Sequence, residues 1–207
     1  MVIVSSEKQK KHLTRLVFDN GGEVLLDNDI CINHVLKPNT FVSEEQLEAL
    51  KYESEYERAK SRALWYLDRC DRTEKALYEK LAGAGFDKRA CAAVVARLKE
   101  LGVVDDRRFA ENFAERCRQA DVSRRETVRK LLAKGVPYEI ACEASSDGEV
   151  SEEEQIERLI EKKYARKLAA ERGTERVYAA LVRKGFSFGA VRAVLKKYSQ
   201  DLEDSEE

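Results

Sequence analysis

Leu77-Tyr78-Glu79-Lys80-Leu81-Ala82-Gly83-Ala84-Gly85-Phe86 has a counterpart fifty residues on, Thr127-Val128-Arg129-Lys130-Leu131-Leu132-Ala133-Lys134-Gly135-Val136. A second lies fifty further, Val177-Tyr178-Ala179-Ala180-Leu181-Val182-Arg183-Lys184-Gly185-Phe186. The offset continues without a gap to Val94, Ala144 and Val194. Self-similarity at one fixed period is the mark of stacked helical units. The recurring residues have a local reason to recur. A glycine at C′ ends a helix in the left-handed conformation, which places Leu81 at C3 and Phe86 at C″, the apolar pair of a Schellman cap. Leu131 with Val136 and Leu181 with Phe186 repeat the arrangement.

Helix starts are marked upstream of each glycine turn. Thr73 is placed to cap the first of these helices, Ser123 with Glu126 fits a capping box, and so does Ser151 with Glu154. In the third copy the cap is expected at Thr174, one place late. Pro137, just past the second glycine turn, fits a first helical position. The helix after the first turn shows its period in Cys91, Val94, Val95 and Leu98. A preceding helix completes each unit: Ala59, Ala63, Tyr66 and Leu67; Phe109, Phe113 and Cys117; Ile156, Leu159, Ile160 and Tyr164. The expected total is nine helices in three groups of three.

Residues 1–42 differ. Leu13–Phe18 and Glu23–Leu26 flank Asp19-Asn20-Gly21-Gly22, a hairpin signal. A third strand or a short helix is expected over Ile30–Leu36, and Ser43-Glu44-Glu45-Gln46 starts a long helix. The expected fold is mainly α: three tandem three-helix repeats in an elongated, curved array with a small N-terminal β-hairpin element. The expected boundaries are 1–42 for the β element, then 43–104, 105–150 and 151–198 for the repeats, and 199–207 for an acidic tail.

Composition agrees with helices. In 207 residues there are two prolines and ten glycines, and 37% of residues are charged with net charge −1, as expected of solvated helix faces. The charge is unevenly placed. Residues 155–198 carry 12 Lys/Arg against 4 Asp/Glu, between acidic runs at 147–154 and 199–207. The five cysteines are scattered, with no Cys-x-x-Cys, which implies a reducing cytoplasm and neither a disulfide framework nor a zinc site. No apolar run has the length of a signal peptide core or a membrane span. There is no phosphate-binding glycine loop, no Gly-x-Ser-x-Gly and no Cys/His pair. We therefore expect no catalytic residues, no cofactor and no metal: a binding protein, not an enzyme. Asp105-Asp106 is better explained by helix capping than by acid chemistry. His12 and His34 lack ligand spacing.

The candidate binding residues are basic. Lys162, Lys163, Arg166 and Lys167 lie adjacent or one turn apart on one helix, and Arg172, Arg176, Arg183 and Lys184 follow on the next. Arg124, Arg125, Arg129 and Lys130 form a similar set in the second repeat. Arg69, Arg72, Lys75 and Lys80 are the candidates in the first. These fit contact with DNA phosphates or an acidic protein surface, against the ordinary reading of solvated charge. Arg69 and Arg72 are also spaced to pair locally with Asp68 and Asp71. Trp65, Tyr78 and Tyr178 are able to stack on bases, but apolar positions of a repeat are more often core.

The run Ala63-Leu64-Trp65-Tyr66-Leu67-Asp68-Arg69-Cys70-Asp71-Arg72-Thr73-Glu74-Lys75-Ala76-Leu77 resembles the opening of the RecX regulatory proteins. Leu98-Lys99-Glu100-Leu101-Gly102-Val103-Val104-Asp105-Asp106-Arg107-Arg108-Phe109-Ala110 is similar to their second segment, and Lys184-Gly185-Phe186 before a short helix to the third. The likeness covers roughly residues 57–198. Cys70 departs from it, standing where a basic residue is usual, and so does Gly83-Ala84, in place of a Lys-rich helix end. The resemblance implies a monomeric cytoplasmic modulator, mostly an inhibitor, of the recombinase RecA in DNA repair and recombination. It implies docking along the groove of the RecA–DNA filament. With no phosphate loop of its own, the chain would change ATP hydrolysis only through that partner. The alternatives are a helical module that binds single- or double-stranded DNA without RecA, and a helical scaffold for another protein.

Overall fold

The computed structural model describes residues 1–9, 12–146, 151–168, 170 and 172–203. Residues 147–150, in the first acidic run, and 204–207, in the second, lie outside the described residues. The chain divides into two compact units, Met1–Val104 and Asp105–Glu207.

The first unit opens with an antiparallel sheet of β1 (Ile3–Lys8), β2 (Leu13–Phe18) and β3 (Glu23–Asp27), in that spatial order. The expected hairpin is β2–β3. Its Asp19–Gly22 turn closes with Phe18 N–H donating to the Gly22 carbonyl (2.9 Å). β1 is a correction to the two-stranded expectation. Ile-Val-Ser-Ser-Glu-Lys has no strong period-two pattern, and its strand state comes from pairing with β2, Glu7 opposite Arg15 and Ser6 opposite Leu16. A lone hairpin is marginal in water, and a third strand over an apolar face relieves that. The segment after β3 is a short helix, α1 (Asn28–Asn33), capped by Asp27, not a strand.

α2 (Glu44–Arg69) begins with a full capping box between Ser43 and Gln46. It runs from the sheet into the first repeat. Leu47 and Leu50 join Ile3, Leu16, Phe18 and Leu26 in one core; Ala59 and Ala63 join Leu77, Leu81, Cys91, Val94 and Leu98 in the next. The Asp27 N–H donates to Ser54 Oγ on α2 (2.7 Å), so the helix is tied to the sheet by more than apolar contact. α3 (Glu74–Gly83) is capped by Thr73 as expected, and α4 (Lys88–Glu100) by Asp87.

The second unit comprises α5 (Asp106–Gln119), α6 (Arg124–Ala133), α7 (Tyr138–Ala144), α8 (Glu152–Leu159), a π-helical turn (Ile160–Tyr164), α9 (Ala165–Leu168), α10 (Gly173–Arg183) and α11 (Phe188–Glu203). Asp105 caps α5 through the N–H groups of Arg107 and Arg108, the role expected for the Asp105-Asp106 pair. Ser123 and Ser151 accept from the N–H groups of Glu126 and Glu154.

All three glycine turns have the cap geometry. Gly85, Gly135 and Gly185 have φ of 90°, 87° and 89°. The N–H groups of Phe86, Val136 and Phe186 donate to the carbonyls of Leu81, Leu131 and Leu181 at 3.4, 3.1 and 3.3 Å. Leu81, Leu131 and Leu181 are each fully buried. Thr127, a polar residue at an apolar repeat position, is buried because its hydroxyl donates back to the Ser123 carbonyl (3.0 Å).

Three local expectations are corrected. The cap before α10 is not Thr174, which lies inside the helix. The helix starts at Gly173 after Arg172, which sits in the left-handed region at φ 56° with no side-chain cap. The chain is too tight there for a capping side chain at 173, since a Cβ would strike the carbonyls of Lys167 and Leu168. Pro137 is the N-cap of α7 and not its first helical residue. The first helix of the third repeat is not one continuous α-helix, because Ile160–Tyr164 opens into a π turn. With α1 in addition, the nine-helix count does not hold.

Candidate nucleic-acid or protein interface: a basic cleft in the second unit

The α5–α6 turn is the anchor of the cleft. It is another Schellman-type end, with Val122 N–H donating to the Cys117 carbonyl (2.9 Å), but a non-glycine residue, Asp121, sits at φ 51°. Asp tolerates this region better than most residues. Its carboxylate, 5% exposed, is held by Arg158 Nε at 3.1 Å and Lys162 Nζ at 2.9 Å. An acid at a helix C-terminus opposes the helix dipole, and the two cations offset that. They also tie the α5–α6 turn to α8 and the π turn.

Next in the chain is Ser123. Its hydroxyl accepts from Glu126 N–H (3.3 Å) and donates to the Lys184 carbonyl (2.6 Å). One side chain thus satisfies a free donor at the start of α6 and a free acceptor at the end of α10. The Gly185 turn packs against it so closely that a Cβ there would lie 2.8 Å from Ser123 Oγ.

These contacts leave a cleft of about 290 Å³, into which Arg129, Lys130, Lys163, Arg183 and Lys184 project beside Asp121 and Glu126. Glu126 binds Arg129 at 2.7 Å and lies 3.9 Å from Lys130. The Arg129 hydrogen bond, aided by the charges of Arg129, Lys130 and Lys184, holds the Glu126 carboxyl below its ordinary value. Asp121 is occupied by Arg158 and Lys162. Lys163, Arg183 and Lys184 form no ion pair among the described residues. Arg183 and Lys184 also stand at the carbonyl end of α10, where cations are favoured. The cleft can bind a polyanion or an acidic protein edge.

The π turn sorts neighbouring lysines. It buries Ile160 and Tyr164, sends Lys162 to Asp121 and leaves Lys163 lining the cleft. Lys167 lies over the Tyr164 ring at 5.6 Å, and Arg166 is exposed. The four expected to act together are thus divided between a structural clasp, a cleft wall and the open surface. Arg124 donates to Ser146 Oγ (2.7 Å), while Arg125, Arg172 and Arg176 are exposed outside the cleft lining. Asp121, Ser123 and Arg158 were not singled out as binding-site elements by sequence. The available signal was an acid at the repeat offset, Asp71, Asp121 and Glu171.

Three of the four candidates of the first unit lie around aromatic rings. Arg69 stacks on Trp65 at 3.4 Å; Arg72 and Lys80 lie 5.7 and 5.9 Å from the Tyr66 ring centre. Lys75 is 4.0 Å from Glu79. Arg69 and Arg72 make no ion pair with Asp68 or Asp71 among the described residues. Trp65 is not core, being 46% exposed, whereas Tyr78 and Tyr178 pack half-buried on their cores.

Recurrent Leu–Gly–Phe caps and two repeats sharing one cleft define a protein of tandem three-helix units. The profile for the RecX first three-helix domain matches residues 59–98, and that for the RecX third three-helix domain matches residues 151–195. Regulatory protein RecX of Streptococcus pneumoniae serotype 19F is 30% identical over 190 residues, covering 91% of this chain and 73% of the relative. Regulatory protein RecX of Clostridium tetani is 26% identical over 199 residues, covering 94% and 92%. A crystal structure of a regulatory protein RecX matches the fold with a TM-score of 0.71 at 21% identity, covering 93% of this chain and 98% of that one. RecX from Lactobacillus salivarius matches with a TM-score of 0.64 at 21% identity, covering 70% and 97%. The chain belongs to the RecX family of regulatory proteins. No helix among the described residues is long and apolar enough to cross a membrane.

Proposed function

We propose that this chain is a cytoplasmic, monomeric regulator, not an enzyme, that binds RecA and the RecA–DNA filament and restrains its recombinase and ATPase activity. The repeats 43–104, 105–150 and 151–198 are its binding segments. The observation that carries the reading is the cleft lined by Lys163, Arg183 and Lys184, which form no ion pair among the described residues, together with membership of a family of regulatory proteins. Basic side chains fixed on a rigid frame suit a filament that presents phosphates and carboxylates at regular spacing. Several weak contacts spread over linked units add as avidity.

The test is RecA on single-stranded DNA with the full chain added, following ATP turnover and filament length. The expected result is slower turnover and shorter filaments, weakened about tenfold or more by K163E/R183E/K184E, given the size of electrostatic steering effects. No effect of the unmodified chain at stoichiometric amounts overturns the reading. An unimpaired triple variant moves the contact away from the cleft.

A further inference from the structure

The C-terminal half of α2 carries a second arrangement that the cleft does not explain. Arg62, Trp65 and Arg69 follow each other at spacings of three and four residues, so they lie along one face of the helix. The buried face at this level is formed by Ala59 and Ala63, with Tyr66 and Leu67 packed beside them. Trp65 points away from that core and is 46% exposed, and its neighbour Leu64 is 45% exposed. An indole left in water gives up much of the burial that makes tryptophan useful in a core. The Arg69 guanidinium lies 3.4 Å from the ring centre, in stacking contact, and Arg62 lies looser at 5.3 Å. Other cations on α2 are occupied, Arg58 by Glu55 and Lys60 by Glu57. Neither Arg62 nor Arg69 has an ion-pair partner among the described residues.

We propose that Trp65, flanked by Arg62 and Arg69, is a stacking site for an unpaired nucleobase of single-stranded nucleic acid, with the two guanidiniums taking the flanking phosphates. The chemistry fits in three ways. A nucleobase offers a flat face that covers the exposed indole, and stacking of this kind accepts any base. The guanidinium 3.4 Å from the Trp65 ring centre already places a planar cation over the ring, and its N–H fork suits a phosphate oxygen. A purely apolar partner would leave both charges without a counterpart on docking, which disfavours a greasy protein surface. The site lies wholly in the first unit, so it stands independently of the basic cleft and of RecA.

Trp65 is the single tryptophan of the chain, which makes the test direct. The full chain without RecA is titrated with a short oligothymidylate and, separately, with an abasic oligomer of equal length and charge. The expected result is quenching of tryptophan emission by the oligothymidylate and little by the abasic strand. Binding of a labelled oligothymidylate, read by anisotropy, should weaken about tenfold in W65A, in the range found for lost base stacking. It should be largely restored in W65F. Circular dichroism confirms that the variants remain helical. Equal quenching by both strands, or unchanged affinity in W65A, overturns the proposal. So does a shift of emission with RecA protein but not with the oligomer, which would make the face a protein contact. None of these outcomes bears on inhibition of RecA through the cleft, so the two readings fail separately.

Discussion

Alanine at Gly85 and at Gly185 should cost different amounts, although both residues hold the same repeat position. Their φ angles are 90° and 89°, so the left-handed strain added by a Cβ is common to both, about 1–2 kcal/mol. The surroundings differ. A Cβ on Gly85 meets nothing within 4 Å, whereas on Gly185 it lies 2.8 Å from Ser123 Oγ, with Arg125 Cβ and Glu126 N at 3.5 Å. Ser123 cannot move aside freely, because its hydroxyl holds both Glu126 N–H and the Lys184 carbonyl. Displacing it forfeits an N-cap, about 0.5–2 kcal/mol, and a neutral hydrogen bond, about 1 kcal/mol. G85A should therefore cost about 1–2 kcal/mol and G185A roughly 2.5–5 kcal/mol. The assay is urea unfolding followed by far-ultraviolet circular dichroism, with Trp65 emission reporting the first unit alone. In S123A/G185A the two losses should fall short of their sum, because the alanine at 123 removes the atom the new Cβ strikes. Equal losses in the two glycine variants, or additivity in the double variant, would refute the coupling of the α6 and α10 ends through Ser123.

Asp121→Asn keeps a side chain that tolerates the left-handed region but loses both ion pairs. It should cost about 1–3 kcal/mol in urea unfolding, and Asp121→Ala should cost more. Glu126 titrates below its ordinary value near 4.5 because of the Arg129 hydrogen bond. Its contribution is then present in full above that ordinary value and is lost as pH falls through the lowered one. E126Q should flatten this part of the acid limb of a stability–pH curve, and an unchanged limb would contradict the pairing. Burial raises the thiols of Cys31 and Cys91 above their ordinary value, and Cys117 is also buried while Cys70 is exposed. A thiol reagent at neutral pH should modify Cys70 first and reach all five only after unfolding, as mass spectrometry of the labelled peptides would show.

What was legible in the sequence is what is decided within a few residues. The Schellman ends at Gly85, Gly135 and Gly185 need only a leucine, a glycine and an apolar residue at fixed offsets, and the caps at Ser43, Thr73, Asp105, Ser123 and Ser151 need one side chain each. What escaped depends on distant partners. β1 is a strand because β2 offers it a ladder. Gly173 takes the place of a capping residue because the carbonyls of Lys167 and Leu168 crowd it. The π turn at Ile160–Tyr164 follows no local breaker, since neither proline nor glycine occurs there; its two buried ends, Ile160 and Tyr164, belong to the core of Val177, Leu181 and Val194.

The same division governs the candidate site. A charge count over residues 155–198 places the positive potential in the third repeat, and by that measure Lys162 and Lys163 are equivalent. They are not equivalent once the acids are located. Asp121 takes up Lys162 and Arg158, and Glu126 takes up Arg129 with Lys130 near it. Pairing therefore removes most of the cleft charge of the second repeat and part of that of the third, and leaves Lys163, Arg183 and Lys184 to attract a ligand. Two of the three are held in place by residues of the second repeat: Asp121 clasps the turn that carries Lys163, and Ser123 holds the carbonyl of Lys184. One repeat supplies the frame and the other the free cations, so a substitution in the frame, such as G185A or D121N, should impair binding without removing a single contact residue.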